Sequence, residues 1–216
     1  MTAPTPPSES RAVPPGSPVR VTPPTTSPTS SSTPAPAAAG APSLDPPIVR
    51  RLRDGDPIPE ITKLLHRAYA AQVAMGLAPL AGRQDDATTA RRCNSGECYV
   101  ATLKDPTHPR GERVVGIILF HEEEPDQGPP WFQQPHVDSF SQFAVDTNLQ
   151  GRGIGQILLD TVERRARECG STELALSMAD PDTALKNFYL KRGYRFVEFW
   201  KWPYTNYTSA ILSKTL

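Results

Sequence analysis

Apolar positions in residues 46–216 recur with two periods, and together they predict an order of strands and helices. Short apolar or alternating runs are typical of strands. Seven such runs occur, at 48–53, 98–103, 113–121, 137–145, 173–178, 194–200 and 207–214. Apolar spacing of three and four residues predicts helices after Pro57, Gly153 and Pro181, and a short helix at 85–92. This order predicts an α/β domain built on a mixed sheet with a central parallel strand pair.

Capping residues bound the predicted helices. Asp56 with Pro57, and Asp180 with Pro181, each supply an N-cap followed by a proline in the first turn. Glycines that predict the helix ends are Gly76, Gly170 and Gly193. The residues predicted to share buried helix faces are Ile61, Leu64, Leu65, Ala68 and Val73; Ile154, Ile157, Leu158, Val162 and Ala166; and Ala184, Leu185, Phe188 and Tyr189. Alternation along 137–145 predicts one sheet face with Val137, Ser139, Ser141, Phe143 and Val145.

Residues 1–45 differ in composition from the rest of the chain. They are rich in Pro, Ser, Thr and Ala and contain no aromatic residue. Such a segment buries too little apolar surface to offset the entropy of ordering it. We therefore predict a disordered tail at 1–45 and one folded domain at 46–216. A tail that docks on aromatic grooves of a partner is an alternative role.

Charge and cysteine content narrow the class of protein. Lys and Arg number 23 and Asp and Glu number 23, so the chain lacks the basic excess typical of nucleic-acid or membrane binding. No apolar run reaches the roughly 20 residues of a membrane span, and none suits a secretory signal. Cys93 and Cys98 lack a second pair at zinc spacing. We expect a cytoplasmic protein with reduced thiols and no metal.

Three glycines stand where the helix after 137–145 begins, in the run Leu-Gln-Gly-Arg-Gly-Ile-Gly-Gln at 149–156. Glycine disfavours a helix by about 1 kcal/mol relative to alanine. A helix N-terminus with bare backbone N–H groups suits a phosphate, and Gln150 and Arg152 would add a donor and a charge. A tight turn without a ligand is the alternative. The spacing does not fit the G-x-G-x-x-G of a dinucleotide fold.

A second motif lies one strand and one helix downstream, with Asn187-Phe188-Tyr189 followed by Lys191-Arg192-Gly193-Tyr194. With Gln150-Gly151-Arg152-Gly153-Ile154-Gly155, it resembles the GNAT superfamily of N-acetyltransferases over residues 48–216. The resemblance implies a mixed, mostly antiparallel sheet with a splayed parallel strand pair and helices on both faces. It also implies that acetyl-CoA, or a related acyl-CoA, binds across the splayed strands as co-substrate, with its pyrophosphate on the glycine turn.

The resemblance assigns roles to individual residues. Tyr189 is implied as the general acid, since a phenol with a pKa near 10 keeps its proton at neutral pH. Asn187 is implied as a partner of the pantetheine arm. Backbone N–H groups near Phe143 and Val145 are the expected partners of the pantetheine amides. The implied cofactor-binding set is Phe143, Val145, Gln150, Gly151, Arg152, Gly153, Ile154, Gly155 and Asn187.

The general base is left unassigned by the sequence. Some family members carry a glutamate on the strand before the turn, where this chain has Ser139. Asp138, His121 and Glu122 are the candidates, and a chain of waters is an equal alternative. The acidic run 122–126 would attract a positively charged amine.

The acceptor is expected to be a primary amine, on a small molecule or a peptide. In this family its site is walled by segments that correspond to 69–92, 122–136 and 200–207. The aromatic residues they supply are Tyr69, Trp131, Phe132, Trp200, Trp202, Tyr204 and Tyr207. An inactive CoA-binding sensor or interaction module is the alternative to an enzyme, and a homodimer is left open.

Overall fold

Seven strands and four helices form the part of the chain that the structure, a computed structural model, describes: residues 45–122 and 128–216. The strands are β1 (Ile48–Arg51), β2 (Glu97–Lys104), β3 (Glu112–His121), β4 (Val137–Val145), β5 (Glu173–Ala179), β6 (Arg195–Trp200) and β7 (Ser209–Thr215). The helices are α1 (Ile58–Ala74), α2 (Asp86–Cys93), α3 (Ile154–Cys169) and α4 (Thr183–Leu190). All predicted elements of the domain are present. The predicted tail lies outside the described residues except for Asp45.

The strands form one mixed sheet in the order β1-β2-β3-β4-β5-β7-β6. Within the described residues, β4 and β5 are its single parallel pair, and all other neighbours are antiparallel. Pairing of β4 with β5 runs from Val137 with Glu173 to Phe140 with Leu176, after which the strands part. The predicted mixed sheet with a splayed parallel pair is confirmed. The opening between these two strands positions the candidate site.

Gln142 interrupts β4 just beyond the point where β4 and β5 part. Its backbone φ is 48°, and the register against β3 shifts between Ile117, which pairs with Ala144, and Leu119, which pairs with Ser141. Such a bulge inserts one extra residue, so later side chains change face. The prediction that one face of the sheet carries all of the following residues is therefore wrong: Val137, Ser139, Ser141, Phe143 and Val145.

Helices cover both faces of the sheet, as predicted. On one face α3 and α4 pack on a core that includes Phe140, Phe143 and Val145. On the other face α1 and α2 pack on a core that includes Ala144. Val137 belongs to a third, smaller cluster. Phe143 and Val145 are thus brought to the α3 side by the bulge.

The N-cap of α4 and the buried faces of α1 and α3 differ from the prediction. The side chain of Asp182 caps α4 by accepting from the backbone N–H of Leu185 at 3.0 Å. The predicted cap Asp180 is wrong, because its carboxylate instead accepts from Lys186 Nζ at 2.8 Å. Val73 and Ile157 were predicted to be buried, yet 48% and 40% of their surfaces are exposed.

Asp56, the other predicted N-cap, is also wrong in that role. Pro57 is the N-cap residue of α1, and no side chain caps the helix. The side chain of Asp56 is 1% exposed and accepts hydrogen bonds from Arg50, Arg110 and the backbone N–H of Arg53. Burial alone would raise the pKa of Asp56, but the hydrogen bonds from the Arg50 side chain and the Arg53 backbone, and the charges of Arg50 and Arg110, lower it below its usual value.

We expect Asp56→Asn to lower the free energy of unfolding by roughly 3 kcal/mol, since breaking a buried ion pair leaves the partner charge uncompensated. A carboxylate whose pKa is lowered by folding stabilises the fold above its unfolded pKa near 3.9, and this contribution is lost as the pH falls through the folded value. Urea unfolding at pH 7 and pH 3 measures both effects. The exposed neighbour Asp54 gives the control Asp54→Asn, and equal losses in the two variants would contradict the assignment.

Among the described residues, no helix combines the length and apolarity of a membrane span. Cys93, Cys98 and Cys169 are free cysteines. Within the same residues, no group of three or more His, Cys, Asp and Glu side chains is arranged to hold a metal ion.

Candidate active site

A cleft of about 740 Å³ opens where β4 and β5 part. Its walls come from the ends of β4 and β5, helices α1 and α4, the glycine turn with the first turn of α3, and Tyr207 in the β6–β7 loop. Gln72 on α1 donates a hydrogen bond to Asp182 before α4 at 3.0 Å, so α1 and the start of α4 are joined across one part of the wall.

The glycine turn has the conformation that an anion cradle requires. Gly151 and Gly153 have φ values of 75° and 82°, which residues with a side chain rarely adopt. Gly153 is the N-cap residue of α3, and no side chain of the described residues caps that helix. A Cβ added at either glycine would meet no atom of residues 45–122 and 128–216 within 4 Å. The N-terminus of α3 therefore presents backbone N–H groups to open space beside the cleft.

A different physical reason explains why position 155 is a glycine. A Cβ at this position would lie 3.2 Å from Cζ of Phe143. The glycine therefore permits close packing of α3 on β4. This contact also keeps the phenyl ring of Phe143 in the cleft wall.

Most of the predicted cofactor-binding residues are brought together. Those that line the cleft are Phe143, Val145, Gln150, Gly151, Gly153, Ile154 and Gly155. Arg152 and Asn187 are exposed and do not line it. Gln150 donates a hydrogen bond to the carbonyl of Val145 at 3.4 Å.

Arg192 lines the cleft and was not predicted as a ligand-binding residue. Its guanidinium lies 3.5 Å from the ring centroid of Phe188 and donates to the Phe188 carbonyl at 3.0 Å and to Gln156 at 3.2 Å. Stacking leaves this charge fixed beside the glycine turn. The only signal in the sequence was its place in the motif that contains Tyr189.

Tyr189 lies in a buried aromatic cluster, 4% exposed. Its ring centroid is 5.2 Å from that of Phe188, 5.5 Å from that of Tyr194 and 6.2 Å from that of Phe140. Burial raises the pKa of Tyr189 well above its usual value. The phenol therefore keeps its proton at neutral pH, as a proton donor must.

A second cavity, of about 380 Å³, is also lined by Tyr189. Five residues line both cavities: Tyr69, Phe143, Ser177, Tyr189 and Tyr207. The two spaces thus share a wall, and the hydroxyl-bearing ring of Tyr189 is part of it.

Two loops that border the second cavity are hydrogen-bonded to each other. Asn206 accepts from the backbone N–H of Ala78 at 2.8 Å and donates to the carbonyl of Gly76 at 2.8 Å. Arg83 donates to the carbonyl of Tyr204 at 2.6 Å. The loop after α1 and the β6–β7 loop therefore form one unit.

The aromatic residues predicted to wall the acceptor site divide into two groups. Those that line the second cavity are Tyr69, Phe132, Trp202, Tyr204 and Tyr207. Trp131 and Trp200 instead pack on the small cluster that contains Ala175 and Ile211. Trp202 is oriented by a hydrogen bond from its Nε1 to Ser177 at 2.9 Å and stacks on Tyr204.

Of the three candidate bases, His121 alone lines the second cavity. Its Nε2 lies 3.2 Å from the hydroxyl of Ser141, which also lines it. Asp138 is buried near the start of β4 and lines neither cavity. Glu122 is exposed, with a carboxylate oxygen 3.9 Å from Arg165. Most of the acidic run 122–126 lies outside the described residues.

Known proteins share both the sequence pattern and the fold. The family model described as "Acetyltransferase (GNAT) family" matches residues 59–194. No curated protein gives a significant match to the sequence. Among solved structures, a Pyrococcus horikoshii OT3 protein is similar with 18% identity and a TM-score of 0.58, covering 79% of this chain and 99% of that one.

Two further solved structures are also similar in fold. A GNAT family acetyltransferase from Elizabethkingia anophelis with acetyl-CoA bound has 18% identity and a TM-score of 0.51, covering 79% of this chain and 98% of that one. The ribosomal-protein-S18-alanine N-acetyltransferase from Escherichia coli has 15% identity and a TM-score of 0.53, covering 78% of this chain and 93% of that one. At these identities the likeness shows the fold.

Proposed function

The chain belongs to the acetyltransferase (GNAT) family, and on that premise we propose that it transfers the acetyl group of acetyl-CoA to a primary amine by direct attack. The observation that carries the proposal is the wall shared by two cavities, with Tyr189 in it. One cavity suits the cofactor and the other suits the acceptor.

The residues of the cleft fit acetyl-CoA. Its volume of about 740 Å³ lies within the range of small-molecule and cofactor sites. The uncapped N-terminus of α3 and the open space at Gly151 and Gly153 suit the pyrophosphate. Arg192 adds a fixed positive charge. The exposed Asn187 and Arg152 are proposed to contact parts of the cofactor that extend beyond the cleft.

Acetyl-CoA supplies an acetyl group activated as a thioester. An N–C bond forms as the C–S bond breaks, the amine gives up a proton, and the departing sulfur takes one. Tyr189 is proposed to give that proton, because this residue lines both cavities and its phenol is protonated at neutral pH. Backbone N–H groups near Phe143 and Val145, on the part of β4 that no longer pairs with β5, are proposed to hold the cofactor amides.

His121 is the proposed base, because it lines the cavity assigned to the amine. A neutral imidazole can take the proton of an attacking amine, whereas a protonated one cannot. The nearby Ser141 hydroxyl provides a route between the ring and the cavity. A chain of waters is the alternative that the variants below distinguish.

We expect His121→Asn to lower kcat/KM by about 10²-fold. Steady-state thiol release measures kcat/KM in both proteins, and titration with acetyl-CoA should give the same dissociation constant for the variant as for the wild type. His108→Asn, at a histidine that lines neither cavity, is the control. An unchanged kcat/KM in His121→Asn would assign the proton to waters instead.

Thiol release from acetyl-CoA with a panel of amines tests the proposed reaction. Amine-dependent release, together with an acetylated product by mass spectrometry, is the expected result. Release at the uncatalysed rate despite measurable CoA binding would favour the alternative, a CoA-binding sensor module. Removal of residues 1–45 should leave the rate unchanged if the tail is a spacer.

A further inference from the structure

The second cavity, which is assigned above to the acceptor and is called the acceptor cavity below, contains Arg92. No carboxylate of the described residues pairs with the charge of this arginine. Arg92, on α2, lines the cavity. The ion pairs among residues 45–122 and 128–216 do not include it. Burial lowers the pKa of Arg92, so its cationic form lies in surroundings that solvate it poorly.

A neutral side chain holds this guanidinium in place. Arg92 Nη1 donates to Gln84 Oε1 at 2.7 Å. Gln84, which is 3% exposed, in turn donates through Nε2 to Thr89 and Gln142, both at 2.9 Å. The buried glutamine fixes the direction of the arginine but cannot neutralise it. A charged donor held by a neutral network is arranged to receive an anion.

The remaining lining of the cavity agrees with an anionic ligand. No aspartate or glutamate of the described residues lines it. Apart from Arg92 and His121, the polar lining consists of hydroxyls and the amide of Gln142, while Trp202, Tyr204 and Phe132 provide apolar walls. The volume of about 380 Å³ suits a small molecule.

We propose, on the premise of the acetyl transfer argued above, that the acceptor is a small amino acid-like molecule that carries a carboxylate as well as its primary amine. The carboxylate binds Arg92 in a bidentate pair. The body of the molecule lies against Trp202 and Tyr204, and its amine reaches the wall that contains Tyr189. This differs from the expectation that an acidic run selects a positively charged amine.

Matched pairs of ligands test the proposal on the full chain loaded with CoA. The pairs are L-phenylalanine with phenethylamine, L-tyrosine with tyramine, L-tryptophan with tryptamine, L-histidine with histamine, and L-leucine with 3-methylbutylamine. Calorimetric titration gives affinities without turnover. In at least one pair we expect the amino acid to bind about 10–100-fold more tightly, the effect of a hydrogen-bonded charge pair.

Variants of neighbouring arginines locate the effect. Arg92→Met should weaken binding of the preferred amino acid by about 10–100-fold and leave the affinity for CoA unchanged. Arg92→Lys, which keeps the charge without the planar fork, should lose less. Arg91→Met removes the same charge from the exposed side of α2 and should bind as the wild type does.

Three results would overturn the proposal: decarboxylated amines that bind as tightly as the amino acids, no amino acid binding at all, or equal losses in Arg91→Met and Arg92→Met. The wild-type comparison needs no variant to fold. Acetylation of decarboxylated amines that bind as tightly as the matching amino acids would leave the proposed acetyl transfer standing while this inference fails. Failure to bind CoA would instead remove the acetyl transfer itself.

Discussion

Tyr189→Phe should lower turnover by about 10²–10⁴-fold, the contribution typical of a positioned general acid. The ring remains, so its packing against Phe188 and Tyr194 is retained. The loss arises because the thiolate then leaves without a proton from the wall between the two cavities. Steady-state thiol release measures turnover, and equilibrium titration should give an unchanged dissociation constant for acetyl-CoA.

Tyr194→Phe is the matched control. This tyrosine is also buried and belongs to the same aromatic cluster, but it lines neither cavity, and its hydroxyl lies 3.4 Å from Glu163. Its loss should reduce stability by roughly 1 kcal/mol and leave turnover near that of the wild type. Equal turnover losses in both variants would show that the cluster matters through packing, and full activity in Tyr189→Phe would exclude the tyrosine as the acid.

Gly153→Val should weaken acetyl-CoA binding by at least about 100-fold. The added side chain would fill space that no atom of the described part of the chain occupies, at the N-terminus of α3. Two charge-assisted hydrogen bonds of roughly 1.5 kcal/mol each account for a loss of this size. Titration of the variant with acetyl-CoA measures it, and circular dichroism checks that the helix content is intact.

A control must separate two effects of Gly153→Val, namely strain in the backbone and obstruction of the cofactor site. Gly153 has a φ of 82°, which valine rarely adopts. Gly111, in the β2–β3 loop, has a φ of 69° and likewise no neighbour within 4 Å of an added Cβ. Gly111→Val therefore carries comparable strain away from the cleft and should bind acetyl-CoA normally. Undiminished binding in Gly153→Val would refute the anion cradle.

Periodicity in the sequence was sufficient to predict the elements and the mixed sheet, because most core positions obey a helical or strand period. The prediction from periodicity failed in β4, where one extra residue interrupts the two-residue period of the strand. Nothing in the run Ser-Gln-Phe at 141–143 reveals that Gln142 takes a positive φ, yet this bulge decides the faces of Phe143 and Val145. Local backbone geometry of this kind depends on partners from β3 and α2, which are distant in sequence.

The two predicted N-caps were also wrong because of contacts that the local sequence does not reveal. Asp56 and Asp180 each precede a proline, which is a sound local signal for a helix start. Each has a stronger partner elsewhere, Arg50 for the first and Lys186 for the second. A local rule cannot weigh a competing ion pair, because it takes no account of which charges the fold brings near.

Only part of the candidate site could be predicted from the sequence. The glycines and Tyr189 could be identified because each lies in a short contiguous motif, and the two motifs together resemble a family pattern. Arg92 and Gln84 could not, because their meaning comes from a cavity assembled by separate segments. Asp138 and Glu122 were considered as bases from strand counting alone, and the fold places both outside the two cavities.

Where β4 and β5 part, the sheet lacks the strand-to-strand hydrogen bonds that a continuous pair would have. A pantetheine arm held in that gap would replace the missing neighbour, and the cofactor would then be a structural component of the domain. A ligand that binds only the folded chain stabilises it by RT ln(1 + [L]/Kd). A rise in acetyl-CoA concentration would therefore shift the unfolding equilibrium of the domain toward the folded state, as well as supply its reaction.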